Sequence, residues 1–402
     1  MFHSEMKHWY QVPLFHRLSG SIAAVLEHAT QRDSWVGRPV AELPTPIAVI
    51  DLDRLEANIA RLADYTREHG IALWPHAKTH KMPPVARMQL AAGAAGLTVA
   101  KVGEAEVMAG HELGPLLLHY PIYGVEAWRR LAEVAGSTGL SVAVDSFEAA
   151  EPLAAALAGA GARADVLVEI DVGLHRTGVE SPAAARALAQ RLDGLTALDV
   201  AGVSGFPGHV RGPVADVKRK LEDVEATLAE AVGLFDSAGL RCDRVSGGCT
   251  PAMTLTHLTP SVNELRAGTY VFLDRTEVAF DGPLALDDCA LRIHATVIST
   301  AVAGNAVVDA GSKMLSDALY GGPGGEGRGA VIDHPDVTIP LTNEEHGICD
   351  VTRSTTAWHV GDRIEIVPNH VCTSVNLQDV VCAARADVVE HVWTVEARGK
   401  VR

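Results

Sequence analysis

Eight short β-rich runs alternate with longer Ala- and Leu-rich segments from Ile71 to about residue 280, and this alternation constrains the fold most strongly. Strands that alternate with helices pair in parallel through right-handed crossovers, and eight such units close into a barrel. The repeat therefore predicts an α/β fold built on a (β/α)8 TIM-like barrel. The predicted strands begin at Ile71, Gly96, Leu116, Leu140, Ala164, Ala197, Cys242 and Glu264.

The chain continues well beyond the predicted barrel, and its texture changes after Asp281. Because its 402 residues exceed what one hydrophobic core usually serves, we expect two domains. Residues 53–280 are predicted to form the barrel, and residues 281–402, rich in β-branched residues, a C-terminal β-rich domain. The run TPIAVIDL (45–52) has no place among the eight strands and is assigned to the β domain. Residues 1–44 are interpreted as an N-terminal extension.

Composition and charge exclude several classes of protein. An apolar fraction of 48% with 21% charged residues predicts a globular chain. The net charge of −16 argues against a nucleic-acid partner, because phosphate backbones are bound by basic surfaces. The sequence shows no signal-peptide pattern and no run of about 18 apolar residues, which predicts a cytoplasmic protein without a membrane partner. The six cysteines lack CxxC spacing and are expected to be reduced thiols.

The residues that follow the predicted strands are unusually polar, and barrel enzymes place their active sites at these strand ends. The first strand leads into WPHAKTHKMPP, in which two histidines and two lysines fall within residues 76–81. Taken alone, this cluster is as consistent with a solvated loop as with a site. The candidates are His76, Lys78, His80 and Lys81 after the first strand, Asp171, His175 and Arg176 after the fifth, His209 after the sixth, and Arg266 and Tyr270 on the eighth.

A phosphate site is predicted after the seventh strand, where barrels commonly bind phosphate. The segment there is Gly247-Gly248-Cys249-Thr250-Pro251, in which two glycines let backbone N–H groups approach an anion and the proline can begin a helix. An ordinary turn with a helix cap is the alternative. A first-strand lysine that faces such a site across the barrel is the geometry of pyridoxal phosphate bound as a Schiff base.

Eight spaced motifs then occur in order: PHAKTHK, EIDVGLHRTG, GFPGH, SGGCTP, ELRAGTYVF, DAGSK, EEHG and PNHVCTSVN. With them the chain resembles the fold-type III pyridoxal phosphate enzymes related to the alanine racemase N-terminal domain, and more narrowly the D-serine dehydratase and D-threonine aldolase family. The resemblance implies that Lys78 is the Schiff-base residue, with Lys81 as a nearby cation or a surface group. It also implies that Arg176 approaches the pyridine nitrogen, to which an arginine can only donate.

Other residues near the cofactor are also named by the resemblance. His76, Tyr270 and the segment 247–250 are expected to contact it. Phe206 in GFPGH departs from the family pattern, since many relatives have tyrosine there. A hydroxyl near the cofactor would then be absent or supplied elsewhere, for example by Tyr270.

His370 and Cys372 in PNHVC are candidate metal ligands. They stand two apart after a strand-like run, so their side chains would share one face if the strand continued. Thiolate with imidazole suits zinc, although a histidine beside a core cysteine is the commoner meaning of such a pair alone. In the resemblance, D-serine dehydratases carry His-x-Cys as zinc ligands here, whereas the aldolase branch typically carries His-x-Asp with a harder ion. His346 in EEHG is left open between a further metal-shell group and an ordinary hydrogen-bonding residue.

The resemblance implies a lyase that acts on D-3-hydroxy amino acids with pyridoxal phosphate and a divalent metal. Dehydration of D-serine to pyruvate and ammonia is the leading interpretation. The alternative is a D-threonine or 3-hydroxy-D-aspartate aldolase, which yields glycine and an aldehyde and would use His209 as a base. A racemase, or a non-catalytic cofactor carrier, would leave the metal pair without a task. The expected partners are a small D-amino acid and a second copy of the chain in a homodimer.

Overall fold

The computed structural model describes residues 34–280, 283–322 and 325–402, so most of the predicted N-terminal extension lies outside the described residues. A strand and a helix, β1 (Ile47–Asp51) and α1 (Leu52–Glu68), precede a parallel eight-stranded sheet. The position of these eight strands along the chain is the predicted one. They are β2 (Ala72–Leu73), β3 (Leu97–Val99), β4 (Leu116–Leu118), β5 (Leu140–Val144), β6 (Ala164–Glu169), β7 (Leu198–Ser204), β8 (Arg244–Gly247) and β9 (Glu264–Leu265).

The parallel sheet curls into a barrel. Its strands follow the order β2-β9-β8-β7-β6-β5-β4-β3. The two ends meet where His76 bridges Thr98, and Thr98 N donates to Pro75 O at 2.8 Å beside them. The predicted TIM-like barrel is thus confirmed, and the carboxyl ends of its strands form one rim.

Helices connect successive barrel strands and cover the outside of the sheet. The helix that begins at Pro182 shows how the sequence sets a helix start. The Ser181 side chain accepts a hydrogen bond from Ala184 N, and Pro182 occupies the first turn. Every residue of β5 is buried, as expected for a strand covered on both faces. Within the described ranges, no helix is both long and apolar enough to span a bilayer. The helices are α2 (Pro83–Ala91), α3 (Val102–Gly110), α4 (Val125–Ala135), α5 (Phe147–Gly159), α6 (Pro182–Leu192) and α7 (Val214–Ser237).

A second, mostly antiparallel sheet follows the barrel in the chain. β1 lies in this sheet, antiparallel to β10 and parallel to β16, although it precedes the barrel in sequence. The strands are β10 (Leu291–Ser299), β11 (Asn305–Val308), β12 (Gly329–Val331), β13 (Thr338–Thr342), β14 (Gly347–Asp350), β15 (Arg363–Pro368), β16 (Val380–Arg385) and β17 (Val388–Thr394), with short helices α8 (Ser312–Leu315) and α9 (Val371–Asn376).

The barrel and the second sheet share one hydrophobic cluster at the rim. Tyr270 and Phe272, which follow β9, are buried in it together with Ile293, Ile366 and Val371 of the second part. This shared core holds α9 against the turn after β2, where the Cys372 Sγ and Thr79 Oγ1 atoms lie 3.3 Å apart. The packing therefore brings the C-terminal motif onto the barrel mouth.

Candidate active site

A cavity of about 260 Å³ lies where the carboxyl ends of the barrel strands meet α9. Because all strands of a parallel barrel point these ends at one rim, residues far apart in sequence converge there. The structure brings together residues from the first, fifth, seventh and eighth predicted strand ends and from the C-terminal motif. The predicted site residues that line this cavity are His76, Lys78, Arg176, Cys249, Thr250, Pro251, Arg266, His370 and Cys372.

Lys78 lies in the turn after β2, half-buried, with its amine in the cavity wall. Its Nζ is 5.9 Å from the centroid of the Phe206 ring, and the Arg176 guanidinium carbon is 4.7 Å from the same centroid. Burial lowers the pKa of the Lys78 amine; Cys372 opposes this effect and Arg176 adds to it. The amine therefore loses its proton more easily than an exposed lysine, as attack on an aldehyde requires.

Lys81 is buried, so the surface-group alternative is wrong and the nearby-cation alternative remains. Its Nζ forms a buried ion pair with Glu104 of α3, and the second oxygen of that carboxylate accepts from Ala100 N at 2.7 Å. The carbonyl of Lys81 accepts from Ala397 N at 3.1 Å. Lys81 thus links the barrel rim to α3 and to the C-terminal segment, and it does not line the cavity.

We expect Lys81→Met to destabilise the protein by about 3–5 kcal/mol, because the buried Glu104 carboxylate loses its counter-charge. Urea unfolding followed by circular dichroism measures the change. The double variant Lys81→Met/Glu104→Gln removes both charges and should recover most of the loss. A single variant as stable as the wild type would contradict this structural role.

The predicted phosphate end of the cavity is built by residues that follow β8 and β9. Cys249 precedes a 3-10 helix that begins at Thr250, and Gly268 and Thr269 line the wall beside it. Burial raises the pKa of the Cys249 thiol to about 12, so the thiol stays neutral. Backbone N–H groups and hydroxyls at a helix start are the groups that bind phosphate, so this end fits such an anion.

Gly247 and Gly248 lie next to the phosphate end of the cavity and determine the path of the chain there. Neither lines the cavity, in contrast to the predicted direct approach to the anion. Gly248 has a φ of +80°, and a Cβ there would come within 2.2 Å of Leu265 Cδ1. Only glycine fits this turn without strain, and the turn carries the chain into Cys249 and Thr250.

Three buried polar atoms of cavity-lining residues have no hydrogen-bond partner among the described residues: His76 Nδ1, Arg266 Nε and Glu277 Oε2. Burial, reinforced by Lys78, lowers the pKa of His76 well below its usual range, so its ring is neutral. Burial also lowers the pKa of Arg266 to about 10, which still leaves a cation. Because buried polar groups nearly always pair, this wall suits a ligand with polar groups, such as pyridoxal phosphate.

His209 does not face the cavity, so its predicted role as a base in the cavity is not supported by its position. A tight turn after β7, in which Gly208 N donates to Phe206 O at 3.0 Å, directs Phe206 and Gly208 to the cavity wall. The His209 ring lies instead against Gly173, whose added Cβ would be 3.1 Å from His209 Nε2. Lys220 Nζ donates to the His209 carbonyl at 3.3 Å on the outer side.

Tyr270 is also placed away from the cavity. Its ring is buried in the shared core, and its hydroxyl accepts from Gln89 Nε2 at 2.9 Å. It therefore does not supply the hydroxyl that Phe206 lacks. The eighth strand instead contributes Arg266, whose Nη2 donates to Gly205 O at 2.8 Å.

His370 and Cys372 both line the cavity, but they do not lie on a continued strand. β15 ends at Pro368; His370 is the residue before α9, and Cys372 lies in its first turn. The helix begins here because Asp274 holds the chain: its Oδ2 accepts from His370 Nδ1 at 3.1 Å and from Val371 N at 3.0 Å. The predicted pair is thus assembled on a helix start. His346 is exposed and is not part of the cavity wall.

The surroundings of this pair fit a divalent metal. Asp274 engages Nδ1 of His370 and so leaves Nε2 for a ligand bond, the arrangement typical of metal-bound histidines. Burial would lower the pKa of His370, but Asp274 and Cys372 outweigh it and raise this pKa to about 11, so the spot stabilises positive charge. Within the described ranges, no group of three or more His, Cys, Asp or Glu side chains is arranged as a metal site. The protein would then supply two ligands and leave other positions to water and substrate.

Sequence reasoning missed three charged side chains at or beside the cavity. Asp274 and Glu277 follow the ELRAGTYVF motif, and Arg211 follows GFPGH. Proximity to a recognised motif was the available signal. It does not distinguish residues that face a cavity from those that face away.

Two domain families match this chain. Residues 50–276 match the alanine racemase N-terminal domain, and residues 290–384 match a putative serine dehydratase domain. The fold and the site define a pyridoxal phosphate enzyme of fold type III, and the chain belongs to the alanine racemase N-terminal domain family.

Individual relatives narrow the comparison. A D-threonine aldolase from Arthrobacter sp. is 34% identical over 90% of this chain and 95% of that protein. A D-threo-3-hydroxyaspartate dehydratase from Delftia sp. (strain HT23) is 33% identical over 87% and 97%. The crystal structure of D-threonine aldolase from Filomicrobium marinum superimposes with a TM-score of 0.85 and 32% identity, covering 91% of this chain and 99% of that one. These three relatives are thus lyases of D-3-hydroxy amino acids.

Proposed function

We propose that this protein is a metal-assisted pyridoxal phosphate lyase that cleaves a D-3-hydroxy amino acid between Cα and Cβ, as an aldolase. The observation that carries the proposal is the meeting of Lys78 with His370 and Cys372 in one cavity. The similarity to D-threonine aldolases favours the aldolase reaction over the dehydration of D-serine. Pyridoxal phosphate, held by Lys78 and the phosphate end, would supply an electron sink for the bond broken at Cα.

Side chains of the protein would carry out proton transfer, orientation of the cofactor and metal binding. Lys78, with its lowered pKa, is placed to hold or return a proton at Cα. Glu277 lines the cavity, and burial together with Asp274 raises its pKa to about 7, which suits exchange of the β-hydroxyl proton in place of His209. Arg176 and Arg266 would orient the bound cofactor ring as fixed donors. A metal on His370 and Cys372 would supply Lewis acidity at the β-oxygen.

Dehydration is the second candidate. A cysteine-to-alanine mutant of a D-threo-3-hydroxyaspartate dehydratase has been solved in a metal-free form, with a TM-score of 0.80 to this chain. The Cys372 thiolate favours zinc as the metal, and similarity to that dehydratase favours loss of the β-hydroxyl. D-Serine, the substrate expected from sequence, belongs to this candidate. We also propose that the protein is a homodimer, as its resemblance to the family implies. Light scattering measures the oligomeric state.

Product analysis separates the candidates. The protein loaded with pyridoxal phosphate is incubated with D-threonine, D-allothreonine, D-serine and 3-hydroxy-D-aspartate, with metal content measured on the same sample. Glycine with an aldehyde supports the aldolase, whereas a 2-oxo acid with ammonia indicates the dehydratase. A yellow protein that turns over none of them would support a non-catalytic cofactor carrier.

Asp274→Asn should weaken metal binding by roughly 10–100-fold, because it removes the charge that orients His370. Metal affinity is measured by competition with a chromophoric chelator. Asp223→Asn, a change on the exposed face of α7, is the matched control and should leave the affinity unchanged. Equal affinities for Asp274→Asn and wild type would show that Asp274 does not support the metal pair.

A further inference from the structure

Arg211 is a cavity-lining cation that the proposed reaction does not use. It is exposed and follows β7 in the turn that contains Phe206 and Gly208. A guanidinium has roughly five N–H donors. Within the described residues only Arg211 Nη2 is engaged, donating to Gly208 O at 3.0 Å, and no carboxylate forms an ion pair with Arg211. The side chain is thus anchored at one nitrogen and free to donate from the rest.

Arg211 stands at the mouth, between the barrel and the second part. A Cβ added to Gly321, which follows β11 and α8 in the chain, would lie 3.7 Å from Arg211 Nη1. Gly321 N donates to Thr276 Oγ1 at 3.3 Å, and Thr276 also lines the cavity. Arg211 is thus an exposed residue that lines the same cavity as Lys78.

No described carboxylate of the cavity wall forms an ion pair with Arg211, although the Arg211 charge acts on Glu277 by partly offsetting the rise of its pKa. Arg266 is buried and its Nη2 is bonded to backbone carbonyls, and Arg176 stacks on Phe206. Glu277 is the carboxylate among the described lining residues, and its Oε1 accepts from Thr269 Oγ1 at 3.0 Å. The phosphate end has its own N–H and hydroxyl donors. Excess positive charge at a concave mouth favours an anionic ligand.

We propose that Arg211 binds a carboxylate of the substrate and so determines which D-amino acids the site accepts. The inference rests on the proposed function, because a D-3-hydroxy amino acid carries an α-carboxylate and one class of them carries a second carboxylate on Cβ. A guanidinium fork matches a carboxylate through two parallel N–H bonds, which a lysine does not reproduce.

Binding of amino acids that lack the β-hydroxyl tests this inference without turnover. Dissociation constants of D-alanine and D-aspartate for the protein loaded with pyridoxal phosphate are measured by calorimetry. Arg211→Gln is expected to weaken binding by roughly 10–100-fold. An equal loss for both ligands assigns Arg211 to the α-carboxylate, and a loss confined to D-aspartate assigns it to a carboxylate on Cβ. Arg211→Lys should recover only part of the affinity.

Arg219→Gln is the matched control, since Arg219 is exposed on α7 and does not line the cavity. It should bind both ligands as the wild type does. Dissociation constants within twofold of wild type for Arg211→Gln with both ligands would overturn the inference. So would weakened cofactor binding with unchanged amino-acid binding, which would assign Arg211 to the cofactor phosphate. Absence of lyase turnover in the wild type, by contrast, would refute the proposed function while the binding data still decide the role of Arg211.

Discussion

Lys78→Ala is expected to lower lyase turnover by about 10³-fold or more, because it removes both the covalent anchor of the cofactor and the group that moves the proton at Cα. Lys78 has the properties these tasks need: it lines the cavity, and burial lowers its pKa. The variant should also lose covalent attachment of the cofactor. Borohydride trapping followed by peptide mass analysis measures that loss directly.

Two lysines provide the controls for this experiment. Lys218→Ala, on the exposed face of α7, should retain turnover and the trapped adduct. Lys81→Met should be less stable but should still carry the adduct at position 78, because Lys81 is bonded to Glu104 outside the cavity. An adduct found on Lys81 in the wild type would refute the assignment of Lys78.

His370→Ala and Cys372→Ala should each abolish stoichiometric metal binding and lower turnover by about 10²-fold or more, since each removes one of two protein ligands. Their double variant should lose little more than either single one, because the two side chains act as a unit. Metal content is measured by mass spectrometry of the purified protein, and turnover is measured with and without added metal.

Cys372→Asp tests the nature of the ligand at this position. An oxygen ligand should shift the preference from zinc toward manganese or magnesium while metal binding is retained. Cys242→Ala, a change at a half-buried cysteine that does not line the cavity, is the control and should leave the metal unchanged. Full turnover by the wild type after exhaustive chelation would remove the metal from the reaction.

The barrel could be predicted because its signal is local and repeated. Each strand and each amphipathic helix is encoded by its own contiguous residues, so all eight strands could be located in the sequence before their pairing was known. The convergence of Lys78, Thr250 and Cys372 followed from the rule that parallel strand ends share a rim, together with the resemblance of the spaced motifs.

The errors concern side-chain direction, which depends on distant partners. Lys81 is buried because Glu104, 23 residues further on, pairs with it. His370 and Cys372 lie at a helix start because Val371 N donates a hydrogen bond to Asp274, which is 97 residues away in sequence. His209 faces Gly173 because one tight turn rotates it away from its neighbours. None of these contacts produces a periodic pattern in the sequence, so none could be predicted from it.

The position of β1 affects how the protein can be synthesised and divided. This strand is made early, yet it pairs between β10 and β16, and Thr45 Oγ1 donates to Asp309 Oδ2 across a sequence separation of 264 residues. During synthesis β1 has no partner on one edge until β10 has been made, and none on the other edge until β16 has been made. A fragment cut after β9 would expose that strand edge and the apolar surface beneath it, so the catalytic barrel is expected to be unstable as an isolated product.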